Sequence, residues 1–376
     1  MNKDLKNEKE EITIFQATDL HYLSPSLNDN GKQFQETMRA GDGKLTEYSE
    51  EILDTLIKET LEKKPDALIL SGDITFNGEK KSLQEVADKL EKVQAENIPV
   101  LVIPGNHDID YPFAYQYDGD SVHHVDAISE KEFREIMGQF GYDKAVSRDT
   151  SSFSYLYQLS SDMCVMCLDA NTEEDAGGLR KETLAWADKQ LAKAKKEKKK
   201  VITVTHQNVL KQSDLLYEGF ILSNAEETAA MLEKYDVSLN LSGHSHLMHR
   251  SVNNGLEDIC MESISLYPLN YGVVQFDSDR NYTFHAQSLG ILQKEAYERF
   301  HSTLQDQLNQ QLADKKIPEA DKEKMVSFAA DANILYFCND TDKLKTMFDE
   351  EGWKLWQKYA PDSFWTTYMN SMKDTF

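Results

Sequence analysis

Short, continuous apolar runs recur along the first two thirds of the chain and alternate with segments of helical periodicity. Such runs predict buried strands, whereas apolar residues spaced three and four apart predict amphipathic helices. The first strands are predicted at Ile12 to Ala17, Ala67 to Leu70 and Val100 to Ile103. Helical patterns from Thr46 to Lys63 and from Glu79 to Glu96 separate them. This order indicates two βαβ units and a parallel sheet, and hence an α/β fold.

The same alternation continues further along the chain, around a helical pattern from Lys181 to Lys199. More buried strands are predicted at Phe153 to Leu159, Met163 to Leu168, Val201 to Thr205 and Val237 to Leu241. Short alternating runs between His249 and Gln287 are typical of an antiparallel sheet. Two segments, Pro25 to Gly43 and Tyr111 to Val125, show little periodicity and are predicted to be irregular.

From about Gly290 the pattern is helical throughout. Four helices are predicted, at Lys294 to Leu312, Glu319 to Asn333, Asp342 to Glu350 and Ser363 to Phe376, with Pro318, Gly352 and Pro361 as the breaks. We therefore expect a flexible N-terminal tail over residues 1–11, an α/β domain over residues 12–288 and an all-helical C-terminal domain over residues 289–376.

Composition and charge narrow the range of partners. A hydrophobic content of 40% with 28% charged residues is typical of a globular protein. The net charge of −24 argues against stable nucleic-acid binding, which requires basic surfaces. No apolar run approaches the length of a transmembrane segment. The first eleven residues are polar, so we expect a cytoplasmic protein, or a secreted or tethered one whose signal segment has been removed. The oligomeric state stays open.

Four cysteines are too few to hold a chain of 376 residues together by disulfides. Cys164 and Cys167 form a C-x-x-C pair, which in other settings binds zinc or carries redox chemistry. Here they lie in an apolar run, where residues three apart point to opposite faces of a strand. We therefore favour buried packing for both.

Ligand-type side chains follow five of the predicted strands, where parallel strands place them at one edge of the sheet. Any one of these turns could be an ordinary polar turn, including the Asn-His-Asp turn after Gly105. Five such edges together predict a metal site, because carboxylate, amide oxygen and imidazole suit divalent manganese, iron or zinc. The candidate ligands are Asp19, His21, Asp73, Asn106, His206, His244 and His246. Seven are more than one ion requires.

The order of these motifs resembles the calcineurin-like metallophosphoesterase family. The matching blocks are Asp19-Leu20-His21, Gly72-Asp73, Gly105-Asn106-His107-Asp108, His206 and Gly243-His244-Ser245-His246. The general likeness is closest to bacterial class III cyclic-nucleotide phosphodiesterases. The resemblance implies a four-layer α/β/β/α sandwich with a helical C-terminal domain. It also implies that residues 12–288 are the catalytic domain and that it holds two metal ions.

By the same resemblance, Asp19, His21, Asp73 and His246 hold one ion, and Asp73, Asn106, His206 and His244 hold the other. Such a pair supplies a bridging hydroxide that attacks phosphorus. His107 lies beside a ligand without being one, and we expect it to protonate the leaving group as general acid. Asp108 either orients that imidazole or caps the turn.

The expected substrate is a small phosphodiester, with 3′,5′-cyclic nucleotides as the best candidate. A phosphomonoesterase, acting on nucleotides or phosphoproteins, is the alternative. The few lysines and arginines beside the motifs favour a diester, because a dianionic monoester recruits an added cation. A metal-free scaffold would have lost ligands that this chain retains. Other loop residues are either substrate contacts or ordinary surface residues: Tyr22, Asn77, Asn171, His123 and His124.

Overall fold

A computed structural model describes residues 11–173, 177–215 and 217–373 of the chain. All but the last residue of the predicted N-terminal tail therefore lies outside the described residues, as does the predicted helical end at residues 374–376. The described strands are β1 (Ile12–Ala17), β2 (Ala67–Ser71), β3 (Val100–Ile103), β4 (Tyr115–Asp118), β5 (Ser121–His124), β6 (Ser147–Arg148), β7 (Tyr155–Gln158), β8 (Met163–Cys167), β9 (Lys200–Val204), β10 (Leu239–Ser242), β11 (His249–Asn253), β12 (Leu256–Cys260), β13 (Asn270–Phe276) and β14 (Tyr282–Ser288).

Eleven α-helices accompany these strands within the described ranges. They are α1 (Lys32–Ala40), α2 (Ser49–Lys63), α3 (Lys80–Ala95), α4 (Glu130–Met137), α5 (Lys181–Lys196), α6 (Ala225–Lys234), α7 (Gln293–Gln311), α8 (Glu319–Phe337), α9 (Thr341–Met347), α10 (Glu351–Tyr359) and α11 (Phe364–Lys373).

The strands form two large sheets and one hairpin. The first sheet has the order β14-β13-β1-β2-β3, and the second has the order β11-β12-β10-β9-β8-β7-β6. Strands β1, β2 and β3 run parallel, as predicted from the two βαβ units. Strands β8, β9 and β10 are parallel as well. The carboxyl ends of both parallel sets carry the predicted motifs, and this arrangement positions the candidate site.

The two sheets pack face to face with helices outside them. One hydrophobic cluster joins strand residues of both sheets, such as Ile69 and Val204, to residues of α2 and α3, such as Leu56 and Leu90. A second cluster joins the outer face of the second sheet to α5 and α6. Parallel strands that are covered on both faces have unbroken apolar sequences. These strands could therefore be predicted from the sequence. The predicted four-layer α/β/β/α sandwich is confirmed.

The structure corrects three of the sequence-based assignments. The segment from Pro25 to Gly43 is not irregular, since it contains α1, and the segment from Tyr111 to Val125 contains the β4–β5 hairpin. The alternating runs after His249 do not form one sheet: β11 and β12 join the second sheet, whereas β13 and β14 join the first. The last difference arises because β13 pairs with β1 and β12 pairs with β10, and local periodicity does not encode pairing with distant strands.

The C-terminal region is helical, as predicted, but it has one more helix than the four expected. Gly352 lies inside α10 and does not end a helix. A Cβ atom at Gly352 would lie 2.4 Å from Cβ of Phe328, so glycine permits the close approach of α10 to α8. The aromatic residues of this region pack mainly among its own helices, with Leu247 and Leu266 of the sandwich joining their cluster. The domain boundary at residues 288 and 289 stays a prediction.

Cys164 and Cys167 are both buried and free, in β8. Cys167 belongs to the cluster between the sheets and Cys164 to the cluster under α5, so the two point to opposite faces as expected. Burial raises the pKa of Cys164 to about 11 and that of Cys167 to about 12. Neither thiol is poised for metal or redox chemistry. Among the helices that the structure describes, none has both the length and the apolar character of a membrane span.

Candidate dinuclear metal centre

The predicted ligand motifs converge at the carboxyl ends of the two sheets. Two groups of three side chains each have ligand atoms within 4.8 Å of one another: Asp19, His21 and His246 in the first group, and Asp73, His206 and His244 in the second. The grouping follows the two sets that the family resemblance implies. Asn106 completes the seven candidate ligands from the loop after β3.

The first group is built on the loops after β1 and β10. His21 Nε2 lies 3.5 Å from His246 Nε2. Asp19 Oδ1 lies 3.2 Å from His246 Nε2 and 3.9 Å from His21 Nε2. The other oxygen of Asp19 accepts hydrogen bonds from the Thr18 hydroxyl at 2.7 Å and from the His244 amide at 3.0 Å. One carboxylate oxygen is thus used to fix the side chain, and the other faces the two imidazoles.

Asp73 connects the first group to the second. Its Oδ2 atom lies 3.6 Å from His21 Nε2, and its Oδ1 atom lies 3.3 Å from His206 Nε2. His206 Nε2 also lies 3.1 Å from Asn106 Oδ1. In the second group, the Nε2 atom of His244 contacts the Gly219 carbonyl oxygen at 2.8 Å, which leaves Nδ1 for a metal ion.

The donor atoms fit divalent cations. The Ser71 carbonyl oxygen lies 2.9 Å from His206 Nδ1 and accepts the proton of that nitrogen. In the neutral imidazole the lone pair of Nε2 then faces the oxygens of Asn106 and Asp73, so an ion in place of the Nε2 proton would have three donor atoms around it. A carbonyl that fixes the tautomer of an imidazole in this way is typical of metal ligands. At His246 a carboxylate has this role, because Nδ1 lies 3.2 Å from Asp42 Oδ2 and Nε2 is left for a metal ion.

The charges of the site point to the same conclusion. Burial is the largest single influence on the pKa of His206 and lowers it, but the charge and hydrogen bond of Asp73, together with Asp19 and the Ser71 carbonyl, raise the pKa to about 9. At His246 burial again lowers the pKa, and the carboxylates of Asp19 and Asp42 together raise it to about 9. Burial lowers the pKa of His244 to about 4. The carboxylates of Asp19 and Asp73 therefore stabilise positive charge at this site, whether it is carried by protons or by ions.

The backbone at the candidate ligands is unusual. Asp19, His21, Asp73, His244 and His246 have φ angles between +46° and +66°. Residues with a Cβ atom rarely adopt this left-handed region, and each costs about 1–3 kcal/mol. The strain turns five side chains inward from tight loops, and sequence periodicity gives no sign of it.

Glycines of the motifs allow the close packing of these loops. A Cβ atom at Gly72, which has a φ of +101°, would lie 2.3 Å from His206 Nδ1. A Cβ atom at Gly105 would lie 2.2 Å from both the backbone nitrogen and Oδ1 of Asp73. Neither position can accept a methyl group unless a candidate ligand moves.

Gly105→Ala should weaken metal binding by about 10- to 100-fold, because the new methyl group displaces the Asp73 carboxylate that both groups share. Metal titration of the purified variant followed by calorimetry measures this loss. Gly255→Ala is the control: a Cβ atom there meets nothing within 4 Å, and the φ of +86° makes this alanine strain the β11–β12 turn, so the variant shows what general backbone strain does to the affinity, which should stay unchanged. Unchanged affinity in Gly105→Ala would contradict the proposed position of Asp73.

His107 lies beside the centre, and neither group of ligand atoms includes it. Its Nδ1 atom lies 3.0 Å from the Phe76 carbonyl oxygen and 3.1 Å from Asn77 Oδ1. Its ring packs edge-on against His21, with centroids 4.9 Å apart, and stacks on Tyr111 at 4.4 Å. Burial lowers the pKa of His107. The Phe76 carbonyl oxygen accepts the proton of Nδ1, so Nε2 is the nitrogen left to exchange a proton with a bound substrate.

Asp108 caps the turn and makes no recorded contact with the His107 ring. Its carboxylate accepts hydrogen bonds from the amides of Ile74, Thr75 and Gly105 at 2.8–3.0 Å, and from the Thr75 hydroxyl at 2.7 Å. Of the two predicted roles, the turn-capping role is confirmed. The residues that orient His107 are Phe76 and Asn77, so the Asn77 side chain contacts the expected general acid.

Asp108→Ala should lower the melting temperature by roughly 5 °C or more, because three buried amides lose their acceptor at about 1–3 kcal/mol each. Thermal unfolding followed by circular dichroism measures the effect. Asp120→Ala, at an exposed carboxylate in the β4–β5 turn, serves as the control and should melt as the wild type does. A variant that melts normally but loses activity only on poor leaving groups would restore the orienting role.

Two residues of the site were missed by sequence reasoning. Lys44 Nζ lies 3.4 Å from His21 Nε2 and 3.2 Å from Asp42 Oδ2. Burial and the positive charge of Lys44 hold the pKa of His21 well below its usual range. Few lysines and arginines are close to the motifs in the sequence, but the folded site does contain a cationic side chain, that of Lys44. Both residues belong to the segment after α1, where no motif marks them.

The remaining loop candidates are either buried in hydrogen-bonded positions or exposed on the β4–β5 hairpin. Tyr22 is fully buried and donates to Glu85 Oε2 at 3.0 Å. Asn171 is buried and donates to the Pro104 carbonyl oxygen at 3.2 Å. His123 and His124 are exposed on β5.

Comparisons with known proteins agree with this geometry. A sequence model described as calcineurin-like phosphoesterase matches residues 12–248, more than half of the chain. A second, described as the C-terminal domain of cyclic nucleotide phosphodiesterase, matches residues 283–375. A crystal structure described as a dimetal phosphatase from Danio rerio has the same fold, with a TM-score of 0.55 and 15% identity; the match covers 74% of this chain and 96% of that one.

Two curated bacterial proteins are similar in sequence over about half of the chain. A "Probable cyclic nucleotide phosphodiesterase" of Moraxella catarrhalis is 24% identical over 187 residues, which are 49% of this chain and 60% of that protein. A "Probable glycerophosphodiester phosphodiesterase" of Arcobacter nitrofigilis is 28% identical over 196 residues, which are 52% of this chain and 61% of that protein. The match thus spans about three fifths of each curated relative. With every motif of the predicted family in place and its sequence model matched over residues 12–248, the chain belongs to the calcineurin-like phosphoesterase family.

Proposed function

We propose that the chain is a metal-dependent phosphodiesterase, with 3′,5′-cyclic nucleotides as the leading substrates. The observation that carries this proposal is the position of Asp73, whose two oxygens face two separate groups of ligand atoms. The set Asp19, His21, Asp73 and His246 would hold one divalent ion. Asp73, Asn106, His206 and His244 would hold the other. The family uses divalent metals, and manganese, iron and zinc all suit these donors.

When bound, two such ions supply Lewis acidity, which activates water and neutralises charge on phosphate oxygens. The side chains of this protein do the rest. Neutral Asn106 adds an oxygen without adding negative charge, so the centre stays attractive to a phosphate anion. The oxygen of a water molecule, which gives up a proton to solvent, bonds to phosphorus as the ester bond on the opposite side breaks. His107 gives its Nε2 proton to the departing oxygen and regains one from solvent.

The choice of a cyclic nucleotide rests on likeness. The Moraxella relative and the model that matches residues 283–375 both carry cyclic nucleotide phosphodiesterase in their descriptions. The Arcobacter relative is named for a different substrate, a glycerophosphodiester. The likeness therefore supports a phosphodiester substrate more strongly than it supports a cyclic nucleotide.

One observation favours a phosphomonoesterase as the second candidate. The amine of Lys44 lies beside His21, where it could bind the additional negative oxygen of a dianionic monoester. Asp42 Oδ2 lies 3.2 Å from the same amine and offsets part of its positive charge. The diester therefore remains the first candidate substrate.

A substrate comparison at saturating manganese tests the choice between the two. We expect kcat/KM for bis-nitrophenyl phosphate and for a 3′,5′-cyclic nucleotide to exceed the values for the corresponding monoesters. Lys44→Met should lower kcat/KM for monoesters more than for diesters, because only the monoester has a third charged oxygen. If monoesters are preferred by tenfold or more, which corresponds to about 1.4 kcal/mol, the phosphatase replaces the diesterase.

A further inference from the structure

A cavity of about 450 Å³ opens next to the metal centre, between the end of α1 and the loop after β2. Resting on the phosphodiesterase proposed above, we propose that this cavity binds the nucleoside part of the substrate on the leaving-group side of the phosphate. Its volume lies in the range of small-molecule sites, and a nucleoside would occupy much of it. A three-carbon alcohol, such as the glycerol group of a glycerophosphodiester, would leave most of the space unfilled.

The position of the cavity fixes which side of the phosphate it serves. His107, which we assign to the leaving oxygen, lines the cavity, and so does Lys44 beside His21. A group attached to the departing oxygen would therefore extend from His107 into this space. In a 3′,5′-cyclic nucleotide the same ribose carries both ester oxygens, so the nucleoside stays attached to the phosphate after the bond breaks.

The lining suits a flat group with polar edges. Met38 and Phe76 give apolar surface, and the imidazole of His107 adds a second ring. The side chains of Thr37 and Asn77 also line the cavity and bring polar groups to it. Lys44 is the one lysine or arginine among the lining residues, all of which are described, so an added phosphate group would lack a partner of its own.

The walls of the cavity are held in place by packing on both sides. Met38 and Phe76 belong to one buried cluster with Phe34 of α1 and Tyr117 of the hairpin. The Phe34 and Tyr117 rings meet at 5.3 Å. The cavity is therefore formed before a substrate arrives.

The opposite wall is supported by the helical C-terminal region. Gly43 lies against Phe300 of α7, where a Cβ atom would come within 3.0 Å of the Phe300 backbone. Glu47 pairs with Arg299 of the same helix. These contacts fix the segment that carries Lys44 and Thr46, which gives the C-terminal helices a part in the site.

Filling the cavity tests the proposal by binding as well as by turnover. Ala40 lines the cavity at the exposed end of α1, so Ala40→Trp adds bulk there without removing a core contact. Arg39→Trp is the matched control, since Arg39 is its exposed neighbour and does not line the cavity. Calorimetry on the metal-loaded protein then measures the affinity for adenosine 5′-monophosphate and for inorganic phosphate, which needs only the metal centre.

We expect Ala40→Trp to weaken binding of the nucleotide by about tenfold or more and to change binding of phosphate by no more than about twofold. The kcat/KM for 3′,5′-cyclic AMP should fall in proportion, and Arg39→Trp should match the wild type in all three. If Ala40→Trp does not fold, Ala40→Leu should give a smaller loss in the same direction.

Equal nucleotide affinity in the variant and the wild type would overturn the proposal, as would a parallel loss of phosphate binding. Failure of the proposed function looks different. If the metal-loaded wild type hydrolyses no phosphoester, the proposed activity is overturned. If Ala40→Trp still binds the nucleotide more weakly than that wild type does, the proposed binding of a nucleoside in the cavity is supported.

Discussion

Asp73→Ala should leave the chain unable to hold either metal ion and should lower phosphoesterase activity by about 10³-fold or more. The reason is the shared position of the carboxylate, with one oxygen 3.6 Å from His21 and the other 3.3 Å from His206. Without it, two dications would have no anion between them, and their mutual repulsion would oppose binding. Elemental analysis of a metal-loaded, desalted sample measures the ions, and hydrolysis of a chromogenic diester measures the activity.

Asp88→Ala is the matched control for this substitution. Asp88 is an exposed carboxylate on α3, so its loss should leave both ions and the activity in place. Retention of two ions per chain by Asp73→Ala would show that the two groups of ligands are independent. The bridging role of Asp73 would then be withdrawn.

His107→Ala should lower the rate on poor leaving groups by about 10²- to 10⁴-fold with nearly full metal content. The loss should shrink on nitrophenyl esters, because an easily expelled nitrophenolate needs little protonation. The contacts of Nδ1 with Phe76 and Asn77 indicate which nitrogen is held and which delivers the proton. Rates for a series of esters with graded leaving-group pKa values measure the effect.

The control variant is His124→Ala, at an exposed histidine on the hairpin. It should behave as the wild type across the whole series. Equal losses in His107→Ala for good and poor leaving groups would remove His107 from the general-acid role and would leave it a part in shaping the site.

The sequence predicts the strand ends and their ligands because both are local. A buried parallel strand is a continuous apolar run, and Asp19, Asp73 and Asn106 follow such runs within a few residues. The motif order then identifies the family, which the match over residues 12–248 confirms. The four-layer arrangement comes from that resemblance, since periodicity alone does not say which sheet a strand joins.

Other features could not be predicted, because they depend on contacts between distant segments. Asp42 and Lys44 reach the centre only because α1 packs on the β4–β5 hairpin and α7 packs on Gly43. The extra helix around Gly352 depends on its fit against Phe328. The turn-capping role of Asp108 needs amides from two loops, which lie some thirty residues apart in the chain.

The left-handed backbone at five candidate ligands has a consequence for how the protein opens. Five of the sixteen described non-glycine residues with a positive φ are these ligands, in the loops after β1, β2 and β10, and none of the five belongs to the hydrophobic cluster between the sheets. In the metal-free protein the amide protons of these loops should exchange with solvent through small local openings, well before the sheets separate. Bound ions would close this route, so protection from exchange at the rim of the sandwich would report metal occupancy residue by residue.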